Sequence, residues 1–172
     1  MALSVPLSRF TSRVGGGSAF FVRPYRVMQE IIKRLLTDLH ADYFKPSGFT
    51  KERQRFWREI DSVMQEVDFQ SSQWNSADSP ITFYVKISVG FTDIPMRDGK
   101  PALTGAGRIG GLVSDAPAQF DLTPISYDSI RSQLLVFLPQ AFSELPKHYD
   151  DIRTRAKVGW HTPIPLPETW RA

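Results

Sequence analysis

Four polar and aromatic side chains, at and just beyond a predicted β-hairpin, have the greatest potential for binding chemistry. They are Arg58, Gln70, Ser72 and Trp74. Arg58 directly follows Trp57, so its guanidinium can stack on an aromatic ring or pair with a ligand carboxylate. Gln70 offers two donors and an acceptor at the end of a strand. We therefore treat these four residues as the candidate site for a ligand or a partner.

The same side chains also fit a purely structural role. In that alternative Arg58 pairs with Glu52 or Asp68, because opposite charges at neighbouring strand positions attract each other. Gln70 then satisfies the polar groups of a sheet edge. The sequence leaves both interpretations open.

Two pairs of carboxylates fall at strand positions that point to one side. Glu59 pairs in this way with Asp61 if the first strand runs on through Asp61, and Glu66 pairs with Asp68 on the second strand. Such pairs can perform general acid–base chemistry when their pKa values are shifted in a pocket. Solvated outer faces of sheets carry similar residues, so we assign no catalytic role from sequence.

The motifs for cofactors and metals lack their required context. Residues 105–110 match the GxGxxG pattern of dinucleotide sites, but Pro101 precedes them and residues 114–117 stand where the helix should run. We expect a flexible loop there. The three histidines lie far apart and the chain has no cysteine, so no spacing typical of a metal site occurs. We expect no cofactor and no bound metal.

The first half of the chain predicts a helix and a hairpin. Apolar residues recur at three- and four-residue intervals over residues 25–42, which indicates an amphipathic helix. Residues 46–48 are Pro-Ser-Gly and should end it. Alternating runs at 54–60 and 63–69 flank Asp61-Ser62, which favours a β-hairpin.

Residues 81–91 alternate strictly between apolar and polar side chains, which predicts a half-buried strand. We expect Phe83 of this strand and Trp57 of the hairpin to lie in the core.

The second half returns from loops to helices. Prolines and glycines punctuate residues 92–124, so we expect loops with one short strand near 108–113. Helical spacing resumes over 127–142, where Pro139 should kink or split the helix. A second helix is predicted over 148–157. The prolines after Trp160 favour an extended, solvated arm.

These elements predict an α+β fold. We expect an antiparallel sheet of about three to five strands, with N-terminal and C-terminal helices packed on one face. Residues 28–158 should form a single domain, followed by a proline-rich tail at 159–172. Residues 1–27 contain Ser and Arg but no acidic residue, which is typical of a flexible leader or an organellar targeting segment. The alternative is that translation starts at Met28.

Composition excludes several classes of protein. The 172 residues are 41% hydrophobic and 23% charged, which is ordinary for a globular domain. The net charge of +3 arises before Met28, because residues 28–172 carry 17 basic and 18 acidic groups. Nucleic-acid surfaces need clustered cations, so we expect no nucleic-acid partner. No apolar run is long enough to span a bilayer. We expect a cytoplasmic protein, or an organellar one if residues 1–27 are a targeting segment; the oligomeric state stays open.

The order of elements and several short motifs resemble the domain of unknown function family 4304 (DUF4304). The motifs are Gly48-Phe49, Phe56-Trp57-Arg58, Phe69-Gln70-Ser71-Ser72, the alternating residues 83–89, and Arg108-Ile109-Gly110. The resemblance covers residues 29–157. The family's tryptophan-rich segment is replaced here by Phe120-Asp121-Leu122. The resemblance implies a fold, and it supplies no catalytic residues because the family's function is unknown.

Aromatic and polar surface residues without a catalytic set predict a non-enzymatic protein-binding module. One sheet face or the hairpin end would engage a protein partner. The alternative is an enzyme that acts on a small molecule or nucleotide in a cleft between helices and sheet. A deep cleft lined by Arg58, Gln70 or a histidine favours the enzyme, whereas a flat aromatic patch favours the partner.

Overall fold

A computed structural model describes residues 24–71, 80–94, 103–159 and 161–165. The helices within these ranges are α1 (Pro24–Leu39), α2 (Ile109–Leu112), α3 (Tyr127–Glu144) and α4 (Tyr149–Lys157). A π-helical turn, His40–Phe44, continues α1, and a 3-10 turn, Leu145–His148, joins α3 to α4. The strands are β1 (Thr50–Glu52), β2 (Arg55–Ile60), β3 (Val63–Ser71), β4 (Ile81–Phe91), β5 (Leu103–Arg108), β6 (Phe120–Leu122) and β7 (Thr162–Pro163).

The described strands form one mixed sheet in the order β1-β2-β3-β4-β5-β7, with β6 also paired to β4. Every pairing is antiparallel except that of β5 with β7. The predicted α+β class is confirmed. The predicted number of strands was too low, because strands of two or three residues are too short to show an alternating pattern.

The predicted hairpin is confirmed, with β2 and β3 joined by Asp61 and Ser62. Both turn residues have positive φ, at 50° and 65°. A two-residue loop with positive φ at both positions is a type I′ turn, whose twist matches that of the strands. The register pairs Arg58 with Gln65 and Arg55 with Asp68.

The side chains of β2, β3 and β4 that point toward the helices define the inner face of the sheet. Four phenylalanines cross this face from β2 to β6: Phe56, Phe69, Phe83 and Phe120. Successive ring centroids lie 5.9, 5.9 and 5.3 Å apart. The core position predicted for Phe83 is confirmed, because its side chain is fully buried.

Helices α1 and α3 cover the inner face and are joined by polar contacts. The apolar stripe of α1 is buried at Ile32, Leu35, Leu36 and Leu39. The Tyr127 hydroxyl of α3 donates to Asp38 of α1 at 2.5 Å. Arg131 of α3 pairs with Asp42 in the π-helical turn. Helix α1 begins at Pro24, inside the segment assigned to the leader.

Two expectations for the second half of the chain are corrected. Residues 103–108 form strand β5 where a flexible loop was expected, and the strand expected near 108–113 is instead the short helix α2. A Cβ on Gly107 would lie 1.8 Å from the carbonyl oxygen of Ile164, and one on Gly105 would meet Ile152 of α4. The glycines therefore allow α4 and the C-terminal segment to pack closely on β5.

The C-terminal elements follow from this packing. Residues 162–165 were expected in a solvated arm, but Thr162 and Ile164 are buried against β5. Helix α3 is continuous through Pro139, so Pro139 does not split the helix, and the alternative prediction of a kink stays a prediction. The predicted helix over 148–157 is confirmed as α4. The boundaries of leader, domain and tail stay predictions. In the described part of the chain, no helix is both long and apolar enough to cross a membrane.

Candidate functional site

The sheet carries a second face that points away from the core. Side chains alternate along each strand, so the residues between the core positions of β2 to β5 define this outer face. Its members are Arg55, Trp57, Glu59, Met64, Glu66, Asp68, Gln70, Thr82, Tyr84, Lys86, Ser88, Ala106 and Arg108. Most of them are exposed or half-buried, in contrast to the fully buried phenylalanines on the opposite face.

Trp57 is the large aromatic residue of the outer face, and its predicted core position was wrong. Its side chain is 40% exposed, whereas the preceding Phe56 is fully buried. Successive residues of a strand face opposite sides, so only one of two adjacent aromatics can enter a core. Trp57 lies directly opposite Glu66 of β3.

Asp68 is the most enclosed carboxylate of the outer face. It accepts a hydrogen bond from Nε2 of Gln70 at 2.6 Å, and Nε of Arg55 lies 3.7 Å from the same oxygen. Beside Asp68 lies an open cleft of about 410 Å³, and the link between β1 and β2 forms one of its walls. The cleft is lined by Glu52, Arg53, Gln54, Arg55 and Asp68.

The neighbouring charges influence one another across the strands. Burial raises the pKa of the Glu66 carboxyl above its ordinary value; Arg55 opposes this shift and Asp68 adds to it. On β4 and β5, the guanidinium carbon of Arg108 lies 4.3 Å from the centroid of the Tyr84 ring. The outer face thus combines one exposed indole with positive and negative groups.

Arg58 lies on the inner face and is held by three kinds of contact. Its Nε donates to Oε1 of Gln65 at 2.8 Å, and Nη1 donates to the carbonyl oxygen of Ser47 at 2.7 Å. Its guanidinium carbon lies 4.4 Å from the Phe49 ring centroid and 5.1 Å from that of Phe142. These contacts join the hairpin to the turn after α1 and to α3.

Gln65 extends this network to α4. Its side chain is only 5% exposed, and its Nε2 donates to the Tyr149 hydroxyl at 2.5 Å. Burial lowers the pKa of Arg58, while Tyr43 and Tyr149 oppose that change. Burial also raises the pKa values of both phenols, which are neutral at pH 7 even without this shift. The cluster is therefore a half-buried cation among neutral polar groups.

The carboxylate partners suggested for Arg58 are absent from this network. Among the described residues, no carboxylate oxygen lies within 4.0 Å of an Arg58 nitrogen. The reason is geometric, because Arg58 points to the inner face and Asp68 to the outer face. Asp68 instead faces Arg55.

The structure does not bring the four predicted site residues together. Arg58 and Gln70 lie on opposite faces of the sheet, while Ser72 and Trp74 lie outside the described residues. Whether these residues contact a ligand stays a prediction. Sequence reasoning missed Gln65 and Tyr149. Gln65 could have been found, since it interrupts the apolar positions 63, 67 and 69 of a strand with a polar side chain.

Of the two predicted carboxylate pairs, one shares a face of the sheet and the other does not. Glu66 and Asp68 share the outer face as expected. Asp61 occupies the hairpin turn with positive φ, while Glu59 accepts a hydrogen bond from the Thr92 hydroxyl at 3.1 Å. Within the described ranges, no group of three His, Asp or Glu side chains is placed to hold a metal ion.

The family resemblance is confirmed by comparison with known families. The model of the family described as a domain of unknown function, DUF4304, matches residues 40–122. The match runs from the π-helical turn to the end of β6, and is thus narrower than the expected 29–157. No curated protein and no solved structure matches the chain.

Proposed function

We propose that the chain is a non-enzymatic protein-binding module that engages a partner protein through the outer face of the sheet. Residues 40–122 match the model of the DUF4304 family, whose description gives no activity, so the function is inferred from the surface of the sheet. The observation that carries the proposal is the exposure of Trp57 in the middle of strand β2.

An exposed tryptophan provides a large contact area at little conformational cost. Tryptophan is enriched among the residues that contribute most to protein–protein affinity, since its ring buries much apolar surface and its N–H donates a hydrogen bond. Trp57 is flanked on the outer face by the half-buried Glu66 and Met64. A partner would cover the indole together with Met64, and Glu66 would contribute to a polar rim.

The charges of the outer face favour a protein over a nucleic acid. Arg55, Lys86 and Arg108 provide positive charge, but Glu66 and Asp68 on β3 lie between Arg55 on β2 and Lys86 on β4. Two carboxylates on the contact surface would repel phosphate groups. A protein surface with charges of both signs can match this pattern.

The enzyme alternative has weaker support from the described residues. The polar cluster between helices and sheet contains Arg58, Gln65 and Tyr149, whose polar atoms already bind one another or Ser47. General acid–base chemistry needs a titratable group free to meet a substrate. We therefore keep the binding module as the proposal. A cytoplasmic location stays a prediction, which fractionation of the native cell would test.

Matched baits test the proposed surface. We would purify the wild-type chain, Trp57→Ser and Ile60→Ser from the native cell and identify stoichiometric partners by mass spectrometry. Ile60 is the control because it is 44% exposed in the same strand and points to the other side of the sheet.

We expect a partner that co-purifies with the wild type and with Ile60→Ser and is lost with Trp57→Ser. Equal recovery with all three baits would show that the partner does not use the outer face. A bound metabolite in place of a protein would favour the enzyme alternative.

A further inference from the structure

A groove runs between helix α1 and the two-residue link, Arg53 and Gln54, that joins β1 to β2. Its volume is about 360 Å³, and it lies on the helix side of the sheet edge. The lining residues are Gln29, Ile32, Lys33, Leu36, Thr37, Lys51, Arg53 and Gln54. Three cations, Lys33, Lys51 and Arg53, therefore surround a floor formed by the buried Ile32 and Leu36, and Arg53 also lines the cleft beside Asp68.

Two of these cations have no acidic partner among the residues that the structure describes. Lys33 is paired with Glu30 at 3.0 Å, but no described carboxylate lies within 4.0 Å of Lys51 or Arg53. Nζ of Lys51 is 3.5 Å from the Thr37 hydroxyl and 5.8 Å from the centroid of the Phe56 ring. A half-buried ammonium in such surroundings is stabilised when a carboxylate pairs with it.

The turn between β1 and β2 determines the position of Arg53. Arg53 and Gln54 form a two-residue loop between the paired Glu52 and Arg55, and the φ of 55° at Arg53 is the left-handed conformation that such turns require and that glycine adopts without strain. Here the conformation places an arginine at the rim of the groove.

From this arrangement we infer that the groove binds an acidic segment of a partner protein. A carboxylate of the segment pairs with Lys51 and Arg53. Two neighbouring cations match a carboxylate, whereas a nucleic acid would need a longer track of cations for its phosphates. The groove would act as a second contact, which shares Arg53 with the cleft beside Asp68 but does not need Trp57.

A labelled peptide tests the inference on the full chain. The probe is a short fluorescein-labelled peptide of repeated glutamate-glutamate-leucine units, and its control has lysine in place of glutamate. We expect the acidic peptide alone to bind, with an affinity that falls as salt rises. In the wild-type protein, binding should shift the amide resonances of Gln29, Lys33 and Thr37.

Arg53→Gly separates binding from folding. Glycine adopts a positive φ without strain, so the melting temperature should stay equal or rise. Loss of one charge-assisted contact should lower the affinity for the peptide about tenfold. Lys51→Gln should lower the affinity for the peptide by a similar factor. Lys157→Gln makes the same change of charge at an exposed position of α4 and should leave the affinity unchanged.

Three results would overturn the inference. The first is the absence of peptide binding or of resonance shifts along the groove. The second is an equal loss of affinity in Lys157→Gln, which would reduce the effect to net charge. The third is inorganic phosphate that causes the same shifts and displaces the peptide, since the groove would then be a site for small anions. If Lys51→Gln fails to fold, the affinity of Arg53→Gly and the resonance shifts of the wild-type protein still test whether the groove binds the peptide.

Discussion

At the scale of single residues, the position of a polar side chain depends on which face of the strand it occupies. Arg58 was predicted to stack on an aromatic ring, and it does contact two, Phe49 and Phe142. Neither ring is adjacent to it in sequence. The type of contact was therefore predictable from the guanidinium, whereas its partners depend on the packing of distant elements.

Replacing Arg58 tests whether its network stabilises the fold. Arg58→Ala removes two hydrogen bonds and leaves the amide oxygen of Gln65 without its donor, so we expect a loss of about 2 kcal/mol in the free energy of unfolding. Urea denaturation measures this loss. Arg108→Ala, which removes an exposed guanidinium that stacks on Tyr84, is the matched control and should cost less than about 1 kcal/mol.

If Arg58→Ala unfolds at the same urea concentration as the wild type, the network does not stabilise the fold. If the same variant also loses the co-purified partner, the result would favour the interpretation that Arg58 pairs with a carboxylate of a ligand or partner. Arg58→Lys distinguishes shape from charge, because an ammonium cannot reproduce the two-pronged geometry of the guanidinium.

At the scale of elements, periodic patterns predicted the structure wherever an element was long and regular. Strand β4 alternates over its whole length and has the predicted bounds of 81 and 91. Strand β5 was missed because Gly105 and Gly107 give it no apolar period. Those glycines match the shapes of α4 and Ile164, which belong to sequentially distant parts of the chain. No local pattern contains that information.

The close approach at β5 leads to a prediction for Gly107→Ala. The new methyl group would overlap the Ile164 carbonyl, so the segment at 162–165 must move away from β5. We expect faster hydrogen exchange of the Ile164 amide, which donates to Ala106 at 2.9 Å, and a stability loss of about 1 to 3 kcal/mol.

Gly105→Ala is the matched control, because the atoms nearest to the added methyl group belong to the Ile152 side chain of α4 and not to the backbone of the C-terminal segment. It should affect the Ile164 amide less. Equal exchange in both variants and the wild type would show that the C-terminal segment does not depend on the space at Gly107.

The contact between α3 and α1 predicts how stability depends on pH. Burial, together with the hydrogen bond to Asp38, raises the pKa of Tyr127 to about 12, while Arg34 and Arg131 oppose the shift. The folded state therefore retains a proton that the unfolded chain releases near pH 10. The stabilisation from Tyr127 is complete below about pH 10 and is lost as the pH rises through about 12.

Tyr127→Phe removes this titrating group. We expect its free energy of unfolding, measured with urea, to decline less than that of the wild type between about pH 10 and about pH 12. Tyr43 and Tyr149 also have raised pKa values and should leave part of the decline in the variant. Parallel curves for the two proteins would contradict the role of Tyr127.

At the scale of the whole molecule, the class of fold and the one-sided packing of helices could be predicted, but the identity of the surface could not. The sequence places Phe56 beside Trp57 and does not reveal which of the two enters the core. The register of β2 with β3 decides it and leaves Trp57 on the outer face. Arg58 and Gln70, close in the predicted hairpin, are thereby separated by the thickness of the sheet.

The charge of the whole chain was informative only after it was divided along the sequence. The net charge of +3 suggests a polyanionic partner, yet the residues from Met28 onward are close to neutral. In the structure their charges mix on the outer face, whereas Lys51 and Arg53 remain without described acidic partners at the α1 groove. Local charge therefore predicts different contacts at the two surfaces.

Hydroxyl-radical footprinting of the purified complex, compared with the free protein, tests the central claim most directly. Trp57, Met64 and Tyr84 have reactive side chains on the outer face. We predict that partner binding protects all three and leaves the exposed Ile125, in the turn before α3, at its free rate of oxidation. Unchanged oxidation of Trp57 in a complex that protects other surfaces would contradict the account.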